Sequence, residues 1–264
     1  MRITVLGSGS SSGVPAIDQG WGKCDPAEPR NRRRRPGLLV EDDACKTRVL
    51  IDTPPDLRAQ LIDTATDWLS AVVYTHPHAD HLHGIDDLRG VNRAMQKPIP
   101  VYADRKTFDE IEGRFGYVLQ PIPEPDDGSP VFYFKPVLYP QHEIAPGDRF
   151  EIGGLDFTVF DQDHGYSHTL GFRIGDFAYS TDVTRLDEDA FDVLGGVRFW
   201  MIGVLGEHEH PTHVHVAKAV DWVKRVEPDR AVFGHLGPGL DYATLKRNLP
   251  PNIEPAYDGM VFEV

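Results

Sequence analysis

The stretch from Thr75 to Gly84 constrains what this chain can form more than any other part of its sequence. It reads THPHADHLHG, which places His76, His78, Asp80 and His81 within six positions. The apolar run before it, residues 71–74, predicts a buried strand that ends at these side chains. In an extended turn, His76 and His78 face the same way because side chains alternate, while Asp80 and His81 follow at the entrance to a helix. Imidazole and carboxylate are ligands of Zn²⁺ and similar ions, so we predict a metal site rather than a loop of solvated histidines.

Three more residues of metal-ligand type lie just past predicted strands, and they are His164, Asp182 and His235. Any one of them alone would more simply be an ordinary surface or hydrogen-bonded side chain. Asp52 ends another predicted strand, at residues 49–51. We interpret Asp52 as the acceptor of a hydrogen bond from a metal-bound histidine, with helix capping as the alternative.

The pattern His-x-His-x-Asp-His at residues 76–81 resembles the metallo-β-lactamase fold hydrolases. Further segments resemble the subgroup that contains the phosphoribosyl 1,2-cyclic phosphate phosphodiesterase of phosphonate breakdown; these are residues 7–15, 29–35, 164–165, 180–182 and 256–260. The resemblance implies an α/β fold, a four-layer αββα sandwich with a single domain over residues 1–264. The alternation of strand-like and helical patterns along the chain is compatible with that architecture.

The resemblance also implies a centre of two divalent ions per chain. In that arrangement Asp182 bridges the ions, one ion is held by His76, His78 and His164, and the other by Asp80, His81 and His235. Both Zn²⁺ and Mn²⁺ suit such a ligand set, and the residue types do not choose between them.

Composition excludes several classes of function. The chain has 264 residues and a formal net charge of −14, which disfavours a stable complex with nucleic acid. Two cysteines are too few for a disulfide framework. No apolar run reaches the length that crosses a bilayer, and the N-terminus shows no signal-peptide pattern. We therefore expect a cytoplasmic protein with no membrane association.

A proton donor for a leaving group would have to lie outside the metal ligands, because a ligated imidazole has no lone pair with which to cycle a proton. The histidine-rich stretch 208–215 contains three candidates, and we rank His213 first, His210 second and His215 third. Thr212 is a predicted N-cap, which would place His213 in the first turn of a helix running to about residue 226. The alternative is that these histidines only shape the pocket. His168 is a weaker pocket candidate. Asp80 and His213 are thus the candidate catalytic residues.

Several segments leave alternatives open. The loop 7–13 could cradle a phosphate with its amides or be a flexible turn. In the run Arg32–Arg35, either all arginines are solvated or one orients loops or reaches an anionic substrate.

Cys24 stands alone where relatives often carry several zinc-binding cysteines, so we expect no structural zinc there. Segment 117–146 is a lid, a dimer contact or irregular packing, and its aromatic part 132–139 would suit a homodimer.

The predicted function is metal-dependent hydrolysis of a small phosphodiester, with cyclic ribose or nucleotide phosphates as leading substrates because of the resemblance. Two ions activate water for attack and polarise the phosphoryl oxygen, but they would also polarise a carbonyl. The alternatives are a tRNA 3′-processing endonuclease, a thioester hydrolase, and a non-catalytic metal-binding accessory protein for cofactor synthesis. The net charge speaks against the endonuclease.

Overall fold

The computed structural model describes residues 1–121 and 135–264. The strands of these residues are, in chain order, β1 (Arg2–Gly7), β2 (Gly37–Asp42), β3 (Thr47–Ile51), β4 (Ala71–Val73), β5 (Ile99–Ala103), β6 (Leu138–Glu143), β7 (Arg149–Ile152), β8 (Leu155–Asp163), β9 (His168–Ile174), β10 (Phe177–Ser180), β11 (Phe199–Gly203), β12 (Arg230–Gly234), β13 (Ile253–Pro255) and β14 (Val261–Glu263). The α-helices are α1 (Leu57–Asp63), α2 (Ala79–Leu82), α3 (Leu88–Met95), α4 (Arg105–Phe115), α5 (Glu188–Leu194), α6 (Val216–Val226) and α7 (Tyr242–Asn248).

The strands form two seven-stranded sheets. The first has the order β14-β1-β2-β3-β4-β5-β6 and the second the order β13-β12-β11-β10-β9-β8-β7. Within the first sheet β3, β4, β5 and β6 run parallel, and within the second β10, β11, β12 and β13 do so. Parallel strands end at one edge of a sheet, so the residues that follow β3 and β4, and those that follow β10 and β12, are gathered at sheet edges.

Alternation along the strands divides the core into layers. On β2, Leu38 and Val40 point into the core between the two sheets, whereas Leu39 between them points to the outer core under α1, α3 and α4. A third core lies between the second sheet and α5, α6 and α7. The central strands β4 and β11 are covered on both faces, and every residue of these two strands is buried. The layers confirm the predicted αββα sandwich of the α/β class.

The predicted elements are present with some changes in their bounds. The helix expected to begin at Asp80 and His81 is present as α2, and a 3₁₀ turn at Ile85–Asp87 connects it to α3. The sequence patterns did not predict β6, β13 or α5. Over the described part of the chain, none of the helices is both long and apolar enough to cross a bilayer.

The segment 117–146 is described only in part, since residues 122–134 lie outside the described residues. Three aromatic residues of the predicted dimer contact, at 132–134, fall in that gap, and Tyr139 at its end is exposed. The homodimer stays a prediction.

The run Arg32–Arg35 does not form one solvated patch. Arg34 pairs with Asp63 and Asp258, and Arg35 pairs with Asp56. Arg33 turns inward and is 2% exposed. Arg33 therefore fits the alternative in which one arginine of this run orients loops.

The Arg33 guanidinium donates to the carbonyls of Gly237 and Leu240 at 3.4 and 2.8 Å and to the side chain of Asn31 at 3.1 Å. It also lies 3.9 Å from the Cys24 sulfur, which contacts the Leu240 carbonyl in turn. These hydrogen bonds hold the segment around Arg33, between β1 and β2, against the turn that follows β12. These contacts show what surrounds the thiol of Cys24, and the expected lack of a structural zinc there stays a prediction.

Loop 7–13 is poorly suited to cradle a phosphate with its backbone. The amides of Gly9, Ser10 and Gly13 already donate to carbonyls of the protein, and the amide of Ser8 donates to Asp258 at 2.9 Å. The alternative of a flexible turn does not describe this loop well either, because these hydrogen bonds hold it against neighbouring segments of the chain.

Candidate metal centre

Two groups of metal-ligand residues lie at the edge where strand ends of both sheets meet. The first group consists of His76, His78, His164 and Asp182, and the second of Asp80, His81, Asp182 and His235. In each group the ligand atoms all lie within 4.8 Å of one another. The structure thus brings together all seven residues that the sequence suggested as ligands.

The elements explain why these residues meet. His76 and His78 lie in the loop after β4, and Asp80 and His81 occupy the first turn of α2 directly behind it. The second sheet contributes its residues from the loops after three of its strands: His164 after β8, Asp182 after β10 and His235 after β12. Since β8 and β10 are both antiparallel to β9, these loops lie at the same edge of the sheet.

Asp182 stands between the two groups. Its Oδ2 lies 3.6 Å from His76 Nε2 and 3.7 Å from His164 Nε2. Its Oδ1 lies 3.1 Å from His81 Nε2 and 3.2 Å from His235 Nε2. Two ligands of one tetrahedral zinc ion, each at about 2.0–2.1 Å from the metal, are roughly 3.3 Å apart. The two oxygens of Asp182 therefore have the spacing to contact a different ion each.

Hydrogen bonds to Nδ1 turn three imidazoles so that Nε2 faces the centre. His81 Nδ1 lies 2.7 Å from the Asp52 carboxylate, His164 Nδ1 lies 2.7 Å from the Thr212 carbonyl, and His76 Nδ1 lies 3.0 Å from a threonine hydroxyl. A histidine that binds a metal through one nitrogen usually bonds a carboxylate or carbonyl through the other. Asp52 is placed for the supporting role that the sequence suggested, and it caps no helix, since α1 begins after Asp56.

Unpaired polar atoms at this site fit a metal ion. His76 Nε2, His81 Nε2, His235 Nε2 and Asp80 Oδ2 are buried and have no hydrogen-bond partner among the described residues. A buried polar atom without a partner costs free energy, so an accumulation of such atoms facing each other needs a compensating group. A divalent cation is the group that accepts lone pairs from nitrogen and oxygen together.

Burial and the carboxylates set the charges of the centre. Burial lowers the pKa of His76 well below its ordinary value, so its imidazole is neutral and keeps a lone pair for a metal. Burial opposes the imidazolium of His81 as well, but Asp182, Asp80 and Asp52 outweigh it and raise the pKa of His81. A divalent ion bound there would displace that proton, because a ligated histidine must be deprotonated.

His213 lies beside the centre and belongs to neither ligand group. Its Nε2 is 3.2 Å from Asp182 Oδ2, and its Nδ1 is 2.7 Å from the hydroxyl of Thr212. Its ring stacks on that of His235, with centroids 4.9 Å apart. It is half-buried, so its edge remains accessible to a molecule that approaches the two groups.

The predicted helical setting of His213 is wrong. α6 begins at Val216 with His215 as its N-cap, so Thr212 caps no helix. The reason is that Val214 is tied into extended structure: its amide donates to the Val183 carbonyl at 2.6 Å, and its carbonyl accepts from the amide of Leu205. A helix dipole therefore gives no support to His213 as a proton donor.

The remaining histidine candidates differ in position. His210 is exposed, and its Nδ1 lies 3.4 Å from Nδ1 of His213. His215 is half-buried at the start of α6, and both line a cavity next to His213. His168 has a side chain that is 69% exposed and pairs with Asp161 at 2.8 Å. The structure does not bring His168 into either ligand group.

Comparison with known proteins identifies the family. The model of the beta-lactamase superfamily domain matches residues 47–236, which include every residue of the two ligand groups. The chain belongs to the beta-lactamase superfamily. The crystal structure of a diphosphatase from the PhnP family superimposes with a TM-score of 0.86 at 30% identity, covering 99% of this chain and 97% of that one. This superfamily member therefore belongs to the PhnP-like subgroup, as the sequence resemblance predicted.

Other relatives of this superfamily member carry different names. An octanoyltransferase of Porphyromonas gingivalis is 33% identical over 98% of this chain and 51% of its own length. A ribonuclease Z of Methanopyrus kandleri is 30% identical over 56% of this chain and 46% of its own length. The chain thus spans about half the length of these curated relatives. The zinc-bound PqqB of Methylobacterium extorquens shares the fold, with a TM-score of 0.74 at 18% identity over the full length of both chains.

Proposed function

We propose that this hydrolase-fold protein cleaves a small phosphodiester, with two divalent ions, Zn²⁺ or Mn²⁺, held by the two ligand groups. The observation that carries the proposal is the position of Asp182, whose two carboxylate oxygens each face a different pair of histidines. Two ions bound in this way would lower the pKa of a water and neutralise charge on a phosphoryl oxygen. The names of a diphosphatase and of a ribonuclease among the relatives support a phosphate substrate.

In this proposal the residues of the chain divide the remaining tasks. His76, His78 and His164 would hold one ion, Asp80, His81 and His235 would hold the other, and Asp182 belongs to both groups. Asp80 also helps to orient the second ligand group, since its Oδ2 lies 3.4 Å from His81 Nε2 and 3.5 Å from His235 Nε2. Asp52 fixes the ring of His81 through Nδ1.

His213 is the proposed general acid. When a phosphodiester is cleaved, the leaving oxygen departs as an alkoxide unless it receives a proton. The Nε2 atom of His213 lies 3.2 Å from Asp182, so it faces the space between the two ligand groups where that oxygen would lie. The Thr212 hydroxyl holds Nδ1 of the ring at 2.7 Å, which leaves Nε2 for proton transfer to the substrate.

Two leaving groups distinguish acid catalysis from other roles of His213. We expect His213→Ala to slow a cyclic phosphate with an unactivated alcohol about 10²–10⁴-fold. The same change should have little effect on bis(p-nitrophenyl) phosphate, because p-nitrophenolate leaves without protonation. His168→Ala is a matched control, since that histidine is exposed and outside both ligand groups. Equal losses on both substrates, or loss of metal from the variant, would contradict the assignment.

The relationship to an octanoyltransferase favours a second candidate, hydrolysis of an acyl ester or thioester. Two metal ions would polarise a carbonyl as readily as a phosphoryl group. Steady-state assays of the metal-loaded protein with bis(p-nitrophenyl) phosphate and with an octanoyl thioester decide between the candidates. Turnover of the thioester alone would replace the phosphodiesterase proposal, and turnover of the phosphate alone would retain it.

A further inference from the structure

The turn that carries Asp182 is held by polar side chains that belong to neither ligand group. They are Gln162 near the end of β8, Thr169 near the start of β9 and Thr181, which directly precedes Asp182, and all three are buried. Asp182 has a φ of +48°, a conformation that residues other than glycine seldom adopt. A residue persists in this conformation only where its surroundings fix it, so the contacts around the turn determine where the carboxylate lies.

Gln162 and Thr169 bind the backbone of this turn, and they stand opposite each other in the register of β8 and β9. Gln162 Nε2 donates to the Thr181 carbonyl and to the Thr169 hydroxyl, each at 3.0 Å. Since the Thr169 hydroxyl accepts from Gln162, its own proton is directed to the turn, where the carbonyls of Asp182 and Thr181 lie at 3.2 and 3.4 Å.

The amide oxygen of Gln162 is buried and has no hydrogen-bond partner among the described residues. An unpaired buried oxygen costs free energy. The presence of a glutamine at this position is therefore explained by the two hydrogen bonds that its NH₂ group donates, one of them directly to the turn.

The end of β11 lies close to the turn on its other side, because β10 is placed between β9 and β11 in the sheet. Gly203 ends β11, and a Cβ at this position would lie 3.1 Å from Thr181 Cα and 3.2 Å from the amide nitrogen of Asp182. It would also lie 3.3 Å from Cβ of His235. The absence of a side chain at Gly203 thus allows the loops after β10 and β12 to approach each other.

The hydroxyl of Thr181 holds the carboxylate of Asp182 itself. Rotation of a carboxylate about its Cβ–Cγ bond has only broad minima, so the backbone alone does not determine where the two oxygens point. Thr181 Oγ1 donates to Asp182 Oδ1 at 2.9 Å. Oδ1 is the oxygen that faces His81 and His235, and with Oδ1 held there, Oδ2 faces the other ligand group.

We propose that Gln162, Thr169 and Thr181 are positioning residues that give Asp182 its bridging geometry. The inference rests on the proposed function, in which the two oxygens of Asp182 serve two ions. Gln162 and Thr169 fix the backbone of the turn, and Thr181 fixes the plane of the carboxylate. None of the three belongs to a ligand group, so they act on the metals through Asp182.

Thr181→Val tests the network in the Mn²⁺-loaded protein, because valine has the shape of threonine without its hydroxyl. We expect the affinity for the more weakly bound ion, titrated with a competing chelator, to fall about 10- to 100-fold, as when other supports of metal ligands are removed. At saturating Mn²⁺, the magnetic coupling between the two ions in electron paramagnetic resonance should weaken. Thr181→Ser keeps the hydroxyl and should retain the wild-type affinity and coupling.

Thr107→Val is the matched control, since Thr107 is buried in α4 and its hydroxyl has no hydrogen-bond partner among the described residues. It should bind Mn²⁺ as the wild type does, and an equal loss of affinity there would overturn the inference. Thr169→Val is a second test if Thr181→Val does not fold, and it should lower the same affinity. Wild-type affinity and coupling in either folded variant would show that the network does not position Asp182.

Failure of this inference and failure of the proposed function give different results. If the wild type hydrolyses bis(p-nitrophenyl) phosphate and Thr181→Val binds Mn²⁺ equally well, the network is wrong and the proposed function stands. If the wild type binds two coupled ions but cleaves no phosphodiester, the proposed function fails, and the chelator titration alone decides on the network. A wild type without two coupled ions would overturn the bridge and this inference with it.

Discussion

Asp52 offers a sharp test of how the metal centre is supported, because the change Asp52→Asn alters one atom of a fully buried side chain. Both carboxylate oxygens of Asp52 are in use. Oδ1 accepts the Thr75 amide at 2.8 Å, and Oδ2 accepts the Thr75 hydroxyl at 2.8 Å and faces His81 Nδ1 at 2.7 Å. Each oxygen thus has a donor against it.

An asparagine at this position has to place its NH₂ group against one of those donors. If NH₂ replaces Oδ1, two donors meet at the Thr75 amide, and a buried hydrogen bond is lost. If NH₂ replaces Oδ2, His81 must present its Nδ1 lone pair to the introduced NH₂ group and carry its proton on Nε2, where a metal would bind. Removing a carboxylate that supports a metal-binding histidine typically lowers metal affinity about 10- to 100-fold.

We therefore expect Asp52→Asn to weaken binding of the ion at His81 by about 10- to 100-fold, measured by titration with a competing chelator. The ion at His76 and His164 should be less affected, because Asp52 reaches His76 only through the Thr75 hydroxyl and the ring of His164 is held by the Thr212 carbonyl. Asp109→Asn is a matched control on the exposed face of α4. A variant that retains the wild-type affinity for both ions would show that Asp52 does not act through His81.

Two further predictions concern the bridging carboxylate and the buried arginine. Asp182→Ala should lower the content of both ions in elemental analysis, because each oxygen faces a different ligand group, whereas His164→Ala should lower one and His168→Ala neither. Retention of one ion by Asp182→Ala at the wild-type level would refute the bridge. Arg33→Met removes the buried hydrogen bonds from the guanidinium to the carbonyls of Gly237 and Leu240 and to the side chain of Asn31, and it should cost about 2–4 kcal/mol in the free energy of unfolding, measured with urea. The control Arg32→Met, at an exposed position, should change it little, and an equal loss in both variants would mean that the buried contacts of Arg33 are not its cause.

Much of the ligand arrangement could be predicted from the sequence because it depends on strand ends. His164, Asp182 and His235 each follow an apolar run, and the strand directions of the sheet bring these positions to one edge whatever the details of packing. The clustering of four ligand residues at 76–81 depends only on local structure, because the loop after β4 and the first turn of α2 hold them together. Continuous apolar runs also reveal the buried strands, such as β4 and β11. What the sequence alone could not supply was which sheet each strand joins, so the fold depended on the resemblance to a family.

What the sequence predicted wrongly, left open or missed depends on contacts between distant segments. Thr212 is of a residue type that favours an N-cap, but the amide of Val214 donates to the carbonyl of Val183, and the helix begins only at Val216. In the sequence Arg33 cannot be distinguished from the arginines beside it. It is the buried one because the turn after β12 lies against it and accepts its hydrogen bonds. The cavity next to His213 was not predicted either, because its walls come from segments that lie far apart in the chain.

Three residues of the centre share a backbone conformation that no sequence pattern shows. Asp52, Asp182 and His235 have φ values of +66°, +48° and +53°, in the left-handed region that residues other than glycine seldom adopt. Each stands where a strand ends, so the chain turns sharply at the ligand or its support. Glycine would remove the strain, of about 1–3 kcal/mol at each position, but it would also remove the carboxylate or the imidazole. Aspartate and histidine tolerate this region better than most side chains, and they are metal ligands as well. The side chains that the chemistry needs are thus among the few that these turns accept.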